Sequence, residues 1–371
     1  MTKLVAMRQQ SLGVLFAAVT LTASGGAALA DNAPQLQNRS IGYVLTNIYW
    51  SIYQTPDAQT ECPNGFNDGP REQFKVLYPD NGEERLFVDT QLEREREIWF
   101  PSMSEEPYPF YEAQGNTSYG LNLDGKIDAN DYVSPDGEEG IDNQLYRAIG
   151  CIANYRGPDG TLYHFTNKYI QQYNYNRFVI ELTDVDSLVN DDDVTVTTYR
   201  GSDSLLTDAT GKDYLPGGTQ RPDTRWGKEF IQQFRGKIED GILTTEAADL
   251  SMPATAAFQD TTVQNIRDLQ FRLKLTPTEA SGLMAGFTDV KSFYYQLNEA
   301  WSTHLQSYGQ LSSPSLYQAL NRLADAHPDP ATGQNTAISS ALDVKFKQVF
   351  ILHQGKEVAS SQGEPQTAAA D

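Results

Sequence analysis

After about residue 176 apolar and polar positions alternate. Phe178, Ile180 and Leu182 fall on one face, Val194 and Val196 follow, and Leu269, Phe271, Leu273 and Leu275 are separated by Gln270, Arg272 and Lys274. A period of two marks half-buried strands of an antiparallel sheet. Leu342, Val344 and Phe346 continue the pattern ahead of an apolar run from Val349 to Leu352. Near the other end, residues 41–53 (IGYVLTNIYWSIY) carry aromatic and β-branched side chains on both faces, which predicts a buried strand, ended by Pro56. Two longer helices interrupt the strands. One covers residues 290–304, with Tyr294, Leu297 and Trp301 on one face; the other covers 314–324, with Ser313 as cap and Pro314 at its first position. A short helix is expected over 141–149, where Leu145 and Ile149 are four apart, Asp142 is placed to cap and Gly150 to stop. The charge run Leu92–Arg96 (LERER) reads as a short solvated helix face.

These elements predict a mainly β, α+β protein with a few helices. Residues 56–140 are rich in Pro, Gly, Asn and Asp and lack periodic runs, so residues 31–170 form a loop-rich lobe. Residues 171–355 form an antiparallel β-rich lobe with two helices packed on it, and 356–371 (KEVASSQGEPQTAAAD) have the composition of a disordered tail. Two lobes also fit the length, since a single core rarely organises more than about 300 residues. No solenoid-type repeat is present.

The first thirty residues are expected to be a signal peptide. Lys3 and Arg8 precede the apolar run Leu12–Leu21, and Ala28-Leu29-Ala30 offers a small-x-small cleavage site. That run is too short to span a bilayer, and no later stretch reaches about 18 apolar residues, so no membrane span is expected. The implied location is periplasmic or secreted. An exported chain meets an oxidising compartment, where Cys62 and Cys151 are expected to bridge, two isolated buried thiols being the alternative. The composition, 28 Lys and Arg against 49 Asp and Glu, gives a formal charge of −21, and loss of Lys3 and Arg8 with the leader makes it −23. Such a surface lacks the basic footprint that nucleic acid needs. It serves solubility in the first place, and it also suits a cationic partner: calcium, a basic envelope protein or a polyamine.

Residues 120–131 (GLNLDGKIDAND) carry the most specific chemistry. Calcium loops of the twelve-residue kind place oxygen ligands at positions 1, 3, 5, 7, 9 and 12, with glycine at 6. Setting Gly125 at position 6 puts Asn122 at 3, Asp124 at 5, the Lys126 carbonyl at 7, Asp128 at 9 and Asp131 at 12. Over these dozen residues the chain resembles the calcium loop of dockerins, which also end on Asp. Gly120 stands where that loop begins with Asp, and Pro135 leaves no room for its exiting helix, so a complete module is not expected. The following SPDGEEGIDN (134–143) brings Asp136, Glu138, Glu139, Asp142 and Asn143 as further oxygen donors. Two readings stay open: a calcium site, or Asp-Gly turns whose side chains cap their own backbone. Transition metals are poorly served, because His164, His304, His327 and His353 share no ligand spacing.

The wider run SYGLNLDGK…SPDGEEGIDNQLYRAIGC, with TECPNGFNDGP around Cys62, resembles a signature of uncharacterised exported bacterial proteins. It implies one co-linear family protein and no activity. Ser202-Asp203-Ser204-Leu205 resembles the nucleophile block of GDSL-type esterases, and Asp325-Ala326-His327-Pro328 their later Asp-x-x-His block. That resemblance implies Ser204 as nucleophile, His327 as base and Asp325 as its orienter, although Ser202 replaces glycine and Asp325 is one residue too near His327. No phosphate-binding loop, dinucleotide fingerprint, HExxH or CxxC is present. The acidic run Asp191–Asp193 is expected at a hairpin tip. The functional expectation is a non-catalytic calcium-binding protein with a binding or structural role in the bacterial envelope, with an exported esterase or glycosidase as the alternative.

Overall fold

The computed structural model describes residues 36, 39–67, 92–94, 97–99, 110–157, 160–173, 176–253, 263–300 and 313–353. The expected leader, the tail, His304 and Trp301 lie outside them. The alternating segments form strands that pair in chain order. β1 (Ile41–Trp50), β4 (Phe178–Thr183), β5 (Asp191–Arg200), β7 (Gln233–Glu239), β8 (Ile242–Thr245), β10 (Val263–Leu275), β11 (Glu279–Asp289) and β13 (Asn335–Ile351) each hydrogen-bond to the next. β13 then pairs with β1, Gly42 opposite Val349 and Trp50 opposite Leu342, and the ring closes. The result is an eight-stranded antiparallel barrel. Three shorter strands join its rims: β6 (Gly218–Gln220) runs parallel to the end of β13, β9 (Ala248–Pro253) pairs with the first half of β10, and β12 (Ala326–Pro328) pairs with the start of β13.

The period-two pattern now has a geometric meaning. Tyr43, Leu45, Phe178, Ile180, Val196, Phe234, Leu243, Phe271, Leu273, Met284, Val344 and Phe346 belong to one buried cluster contributed by all eight strands. Eight strands leave an interior just wide enough for such side chains to fill. Exposed Arg235, Lys237, Lys274 and Lys345 alternate with them, which is the reverse of the apolar outer band of a lipid-facing barrel. Among the described residues no helix is long and apolar enough to cross a membrane. The β7–β8 hairpin turns on Asp240 and Gly241, both with positive φ (50° and 79°), the geometry of a two-residue primed turn.

Three long connections leave the barrel. The first, between β1 and β4, holds a hairpin of β2 (Leu92–Arg94) and β3 (Glu97–Trp99), then α1 (Gln144–Ile149) and α2 (Thr161–Gln172). The second, between β5 and β7, carries β6, and the third, between β11 and β13, contains α3 (Val290–Ala300), α4 (Ser313–Leu323) and β12. A second core gathers Ile52, Tyr132, Ile141, Leu145 and Ile149 with Val290 and Phe293 of α3, Leu316 and Leu320 of α4, and Ile338 of β13. α3 and α4 thus share their apolar faces with the disulfide-tied segment as well as with the sheet. The expected lobe boundary near residue 170 is not a break in the sheet, because β1 lies between β4 and β13.

Cys62 and Cys151 form the expected disulfide, their Cα atoms 5.6 Å apart. Beside it Arg156 and Glu61, both buried, are 2.5 Å apart. Arg156 also donates to the Gly150 carbonyl (2.7 Å), and Glu61 accepts from the Thr55 amide (2.9 Å) and hydroxyl (2.6 Å). Every charged atom removed from water there finds a partner, which burial of an ion pair requires.

Two local expectations are corrected. Leu92–Arg94 is a strand, with Leu92 opposite Trp99 in the register, and not the start of a helix. Spaced ion pairs are worth only a few tenths of a kcal/mol, too little to offset helix nucleation in so short a run. Asp142 does not cap α1. The helix begins two residues later after Asn143, and Asp142 instead accepts the Leu123 amide (2.6 Å).

The first half of β1 pairs with β4, but from Leu45 onward that edge meets α2. Asn167, buried on α2, accepts the Ile48 amide (2.8 Å) and donates to the Ile48 carbonyl (3.1 Å), and Gln171 donates to the Thr46 carbonyl (3.0 Å). Two side chains on one helix face thus take the place of a neighbouring strand. Asn167→Ala is expected to cost about 1–3 kcal/mol by leaving the buried Ile48 groups unpaired. Exposed Gln172→Ala should stay within about 0.5 kcal/mol. Denaturant midpoints of the two variants measure the difference. Replacing both cysteines by alanine should cost about 2–4 kcal/mol in the same assay, because the bridge closes a long loop.

Candidate functional site

The Asp-rich segment lies on the outer wall of the barrel. Leu121, with Leu123 packed beside it, meets Ala285 of β11 and Ala341 of β13, small residues that let the segment approach the sheet. The following turn is anchored by Arg272 of β10, which grips Glu138 through both terminal nitrogens (2.9 Å each). Isolated bridges Leu121–Asp142 and Tyr132–Ile141 hold the base of the loop. Gly140 (φ 77°) passes so close that a Cβ there would collide with the Asn122 side chain and the Lys126 carbonyl.

Inside the loop, hydrogen bonds follow the turn reading closely. Asn122 accepts the Gly125 amide (2.7 Å) and donates to the Lys126 carbonyl (2.7 Å). Asp124 accepts the Lys126 amide and pairs with its ammonium, both at 2.8 Å. Asp131 accepts the Asp128 amide, and Asp136 sits in a separate turn closed by the Gly137 amide on the Ser134 carbonyl (2.9 Å). Asn122, Asp124, Lys126, Asp128, Asp131, Asp136 and Asp142 are therefore neighbours along one folded segment. Among the described residues no group of three or more His, Cys, Asp or Glu has an arrangement that holds a metal ion.

Charge is nonetheless concentrated there. Asp142 is the most perturbed of these carboxylates: burial raises its pKa to about 6, and repulsion from Asp131, Asp124 and Asp325 adds to the rise, against the pull of the Leu123 amide. Asp325 arrives from the far end of the chain, just ahead of β12. Its carboxylate turns in toward Ser339, accepting from that residue's amide (2.7 Å) and hydroxyl (2.5 Å), while the same hydroxyl accepts the first amide of α1 from Gln144 (2.8 Å). Burial of that carboxylate raises its pKa as well, with Asp131 adding repulsion. Sequence spacing gave no signal for Asp325, because the contact depends on the pairing of β12 with β13.

The hydrolase residues are not brought together. Ser204 lies by Gln220, whose side chain reaches the Ser204 carbonyl (3.4 Å) next to the end of β13, whereas His327 lies in β12 beside the start of that strand. Along β13 these places are roughly 45 Å apart at about 3.3 Å per residue. Asp325 is engaged by Ser339, His327 pairs with Asp268 (3.0 Å), and Asp203 pairs with Arg221. The GDSL-like triad is thus overturned by barrel geometry. Asp191–Asp193 open β5, and with Asp184, Asp186 and Arg39 they line a shallow acidic hollow at the β4–β5 turn.

Comparison with protein-family models, curated proteins and solved structures returns no match. Gly140→Ala is expected to cost about 1–3 kcal/mol, since it adds left-handed strain to a collision with the loop. Gly137, also at positive φ (91°) but with open space around its Cα, should lose only the strain on the same change, and thermal melting of the two variants separates the contributions.

Proposed function

We propose that this is an exported binding or structural protein of the bacterial envelope whose Asp-rich loop closes on calcium. The observation that supports this most is the nearness of Asp142 to Asp124 and Asp131 of its own segment and to Asp325 from the far end of the chain, on a loop docked on the barrel wall. Hard carboxylate and carbonyl oxygens are what calcium selects. Closure would exchange the turn's internal hydrogen bonds for ligation: Asp124 would leave Lys126, and the Lys126 carbonyl would leave Asn122. Asp142 would remain the inner ligand, and the ion would offset repulsion that Lys126 now offsets only in part. Nothing in this role needs a reaction, and the charge of −21 fits an extracellular cation-rich setting.

Melting in calcium against chelator tests the reading. At ten times its Kd calcium stabilises by roughly 1.4 kcal/mol, a rise of a few degrees, and magnesium should do less. Asp124→Ala should remove most of the response and Asp193→Ala should leave it intact. An unchanged melting temperature in calcium and chelator would refute calcium binding.

The pH dependence has a defined sign. The folded pKa of Asp142 (about 6) lies above its ordinary 3.8, so its contribution to stability is complete below pH ~4 and is lost as pH rises through 6. Without calcium, Asp142→Asn should therefore raise the melting temperature at pH 7.5 but not at pH 4, since the amide oxygen can still accept from Leu123. It should also abolish the calcium response.

A further inference from the structure

A cleft of about 690 Å³ opens where β10, β11, α3 and α4 meet the β12–β13 turn. Its size falls in the range of small-molecule sites. His327 on its wall is held against Asp268, a residue just behind the lining, and both have unusual backbone conformations. β10 bulges between Arg267 and Gln270, and at the bulge Asp268 has φ 49°, while His327 directly across from it has φ 54°. Their side chains meet at 3.0 Å between Nε2 and Oδ2. Left-handed backbone is uncommon at non-glycine residues, and bulges of this kind re-aim side chains beside functional sites.

A chain of polar contacts runs from this pair along the wall. The Thr336 hydroxyl donates to the His327 carbonyl (2.7 Å) and accepts from Arg267 Nη1 (3.2 Å), and Arg267 Nη2 pairs with Asp289 (2.9 Å). Asp329 accepts the amides of Ala331 (2.7 Å) and Thr332 (2.9 Å), and those hydrogen bonds hold its pKa below the usual range. On the helical side Tyr317, half-buried, stands against Tyr294 with ring centroids 4.4 Å apart, and Asn321 one turn later spends its amide nitrogen on the Tyr317 carbonyl (2.7 Å).

The geometry points to an uncharged, polyhydroxylated ligand, a neutral oligosaccharide segment, as the occupant of this cleft. Arg267 and His327 already face carboxylates, so an anionic ligand would have to displace those carboxylates to enter. A hydroxyl both donates and accepts, and so can sit between paired guanidinium and carboxylate groups without disturbing them. The Tyr317 ring offers an apolar face for the C–H side of a sugar. Glycoside hydrolysis needs a carboxylic acid with a raised pKa. Asp289 is ion-paired and Asp329 is held ionised, so the cleft is built to hold the sugar intact.

The test is calorimetric titration of the full mature chain with maltohexaose, cellohexaose, chitohexaose and mannohexaose. Polygalacturonate serves as the acidic counterpart, and each titration is run in calcium and again in EDTA, so that failure of the calcium reading leaves the result standing. Binding of at least one neutral hexasaccharide in either condition is expected, little changed by 0.5 M NaCl and at least tenfold weaker in Asn321→Ala. That variant places the best helix former at an exposed helical site and should fold normally. The sugar should be recovered uncleaved by chromatography. The proposal is overturned if no neutral hexasaccharide binds, if Asn321→Ala and Thr336→Val both bind like the parent, if only polygalacturonate binds, or if the sugar is cleaved.

Discussion

The pairing of β1 with β13 is the constraint on which the rest of the molecule depends. It joins residues some 300 positions apart, Gly42 with Val349 at one end and Trp50 with Leu342 at the other, and it turns an open meander into a ring. Without it two edges would be exposed and the interior cluster would open to water. Loop closure over that distance must be met before any reward from the contacts, which places this protein among slow, non-local folders. β13 is also where the peripheral parts attach: β6 at its end, β12 at its start, Ala341 under the Asp-rich segment and Ile338 in the second core.

The barrel wall explains why an acidic chain can hold a dense cluster of carboxylates at all. The cluster is fastened by apolar contact, Leu121 on Ala285 and Ala341, and by Arg272 gripping Glu138 several residues away from the repelling groups. Binding energy collected at those anchors offsets the repulsion felt by Asp142. The disulfide and the buried Glu61–Arg156 pair fix the other end of the same connection, so the segment between is held at both margins while its tip stays exposed.

Local pattern predicted well where one face of an element decides its state. The alternation at Phe178–Leu182 and Leu269–Leu275, the buried character of residues 41–50 and the helix over 313–323 all follow from side chains facing a core. The disulfide was legible from the cysteine count and the expectation of export. Closure of the ring was not, because periodicity reports which face is buried and says nothing of which strand lies alongside. For the same reason the sharing of α3 and α4 with the Cys62–Cys151 segment escaped a linear reading. At the loop, Asn122, Asp124 and Asp131 were legible as a cluster, whereas Asp325 and Gly140 became part of it only through tertiary approach. His327 was noticed for the wrong partner: sequence placed it with Asp325, and the bulge in β10 gave it Asp268.

The substitution of side chains for a strand along β1 has a consequence for how the protein meets other chains. Asn167 and Gln171 occupy backbone groups along an edge that would otherwise be open to pairing. Sheet edges recruit partners through the backbone alone, whatever their sequence. Detachment of α2, a helix of twelve residues, would bare the groups at Thr46 and Ile48 and withdraw Ile170 from the barrel core. That edge is therefore covered by one helix, held by two amide side chains, by Tyr163 on Tyr49 and by Ile170 in the barrel core.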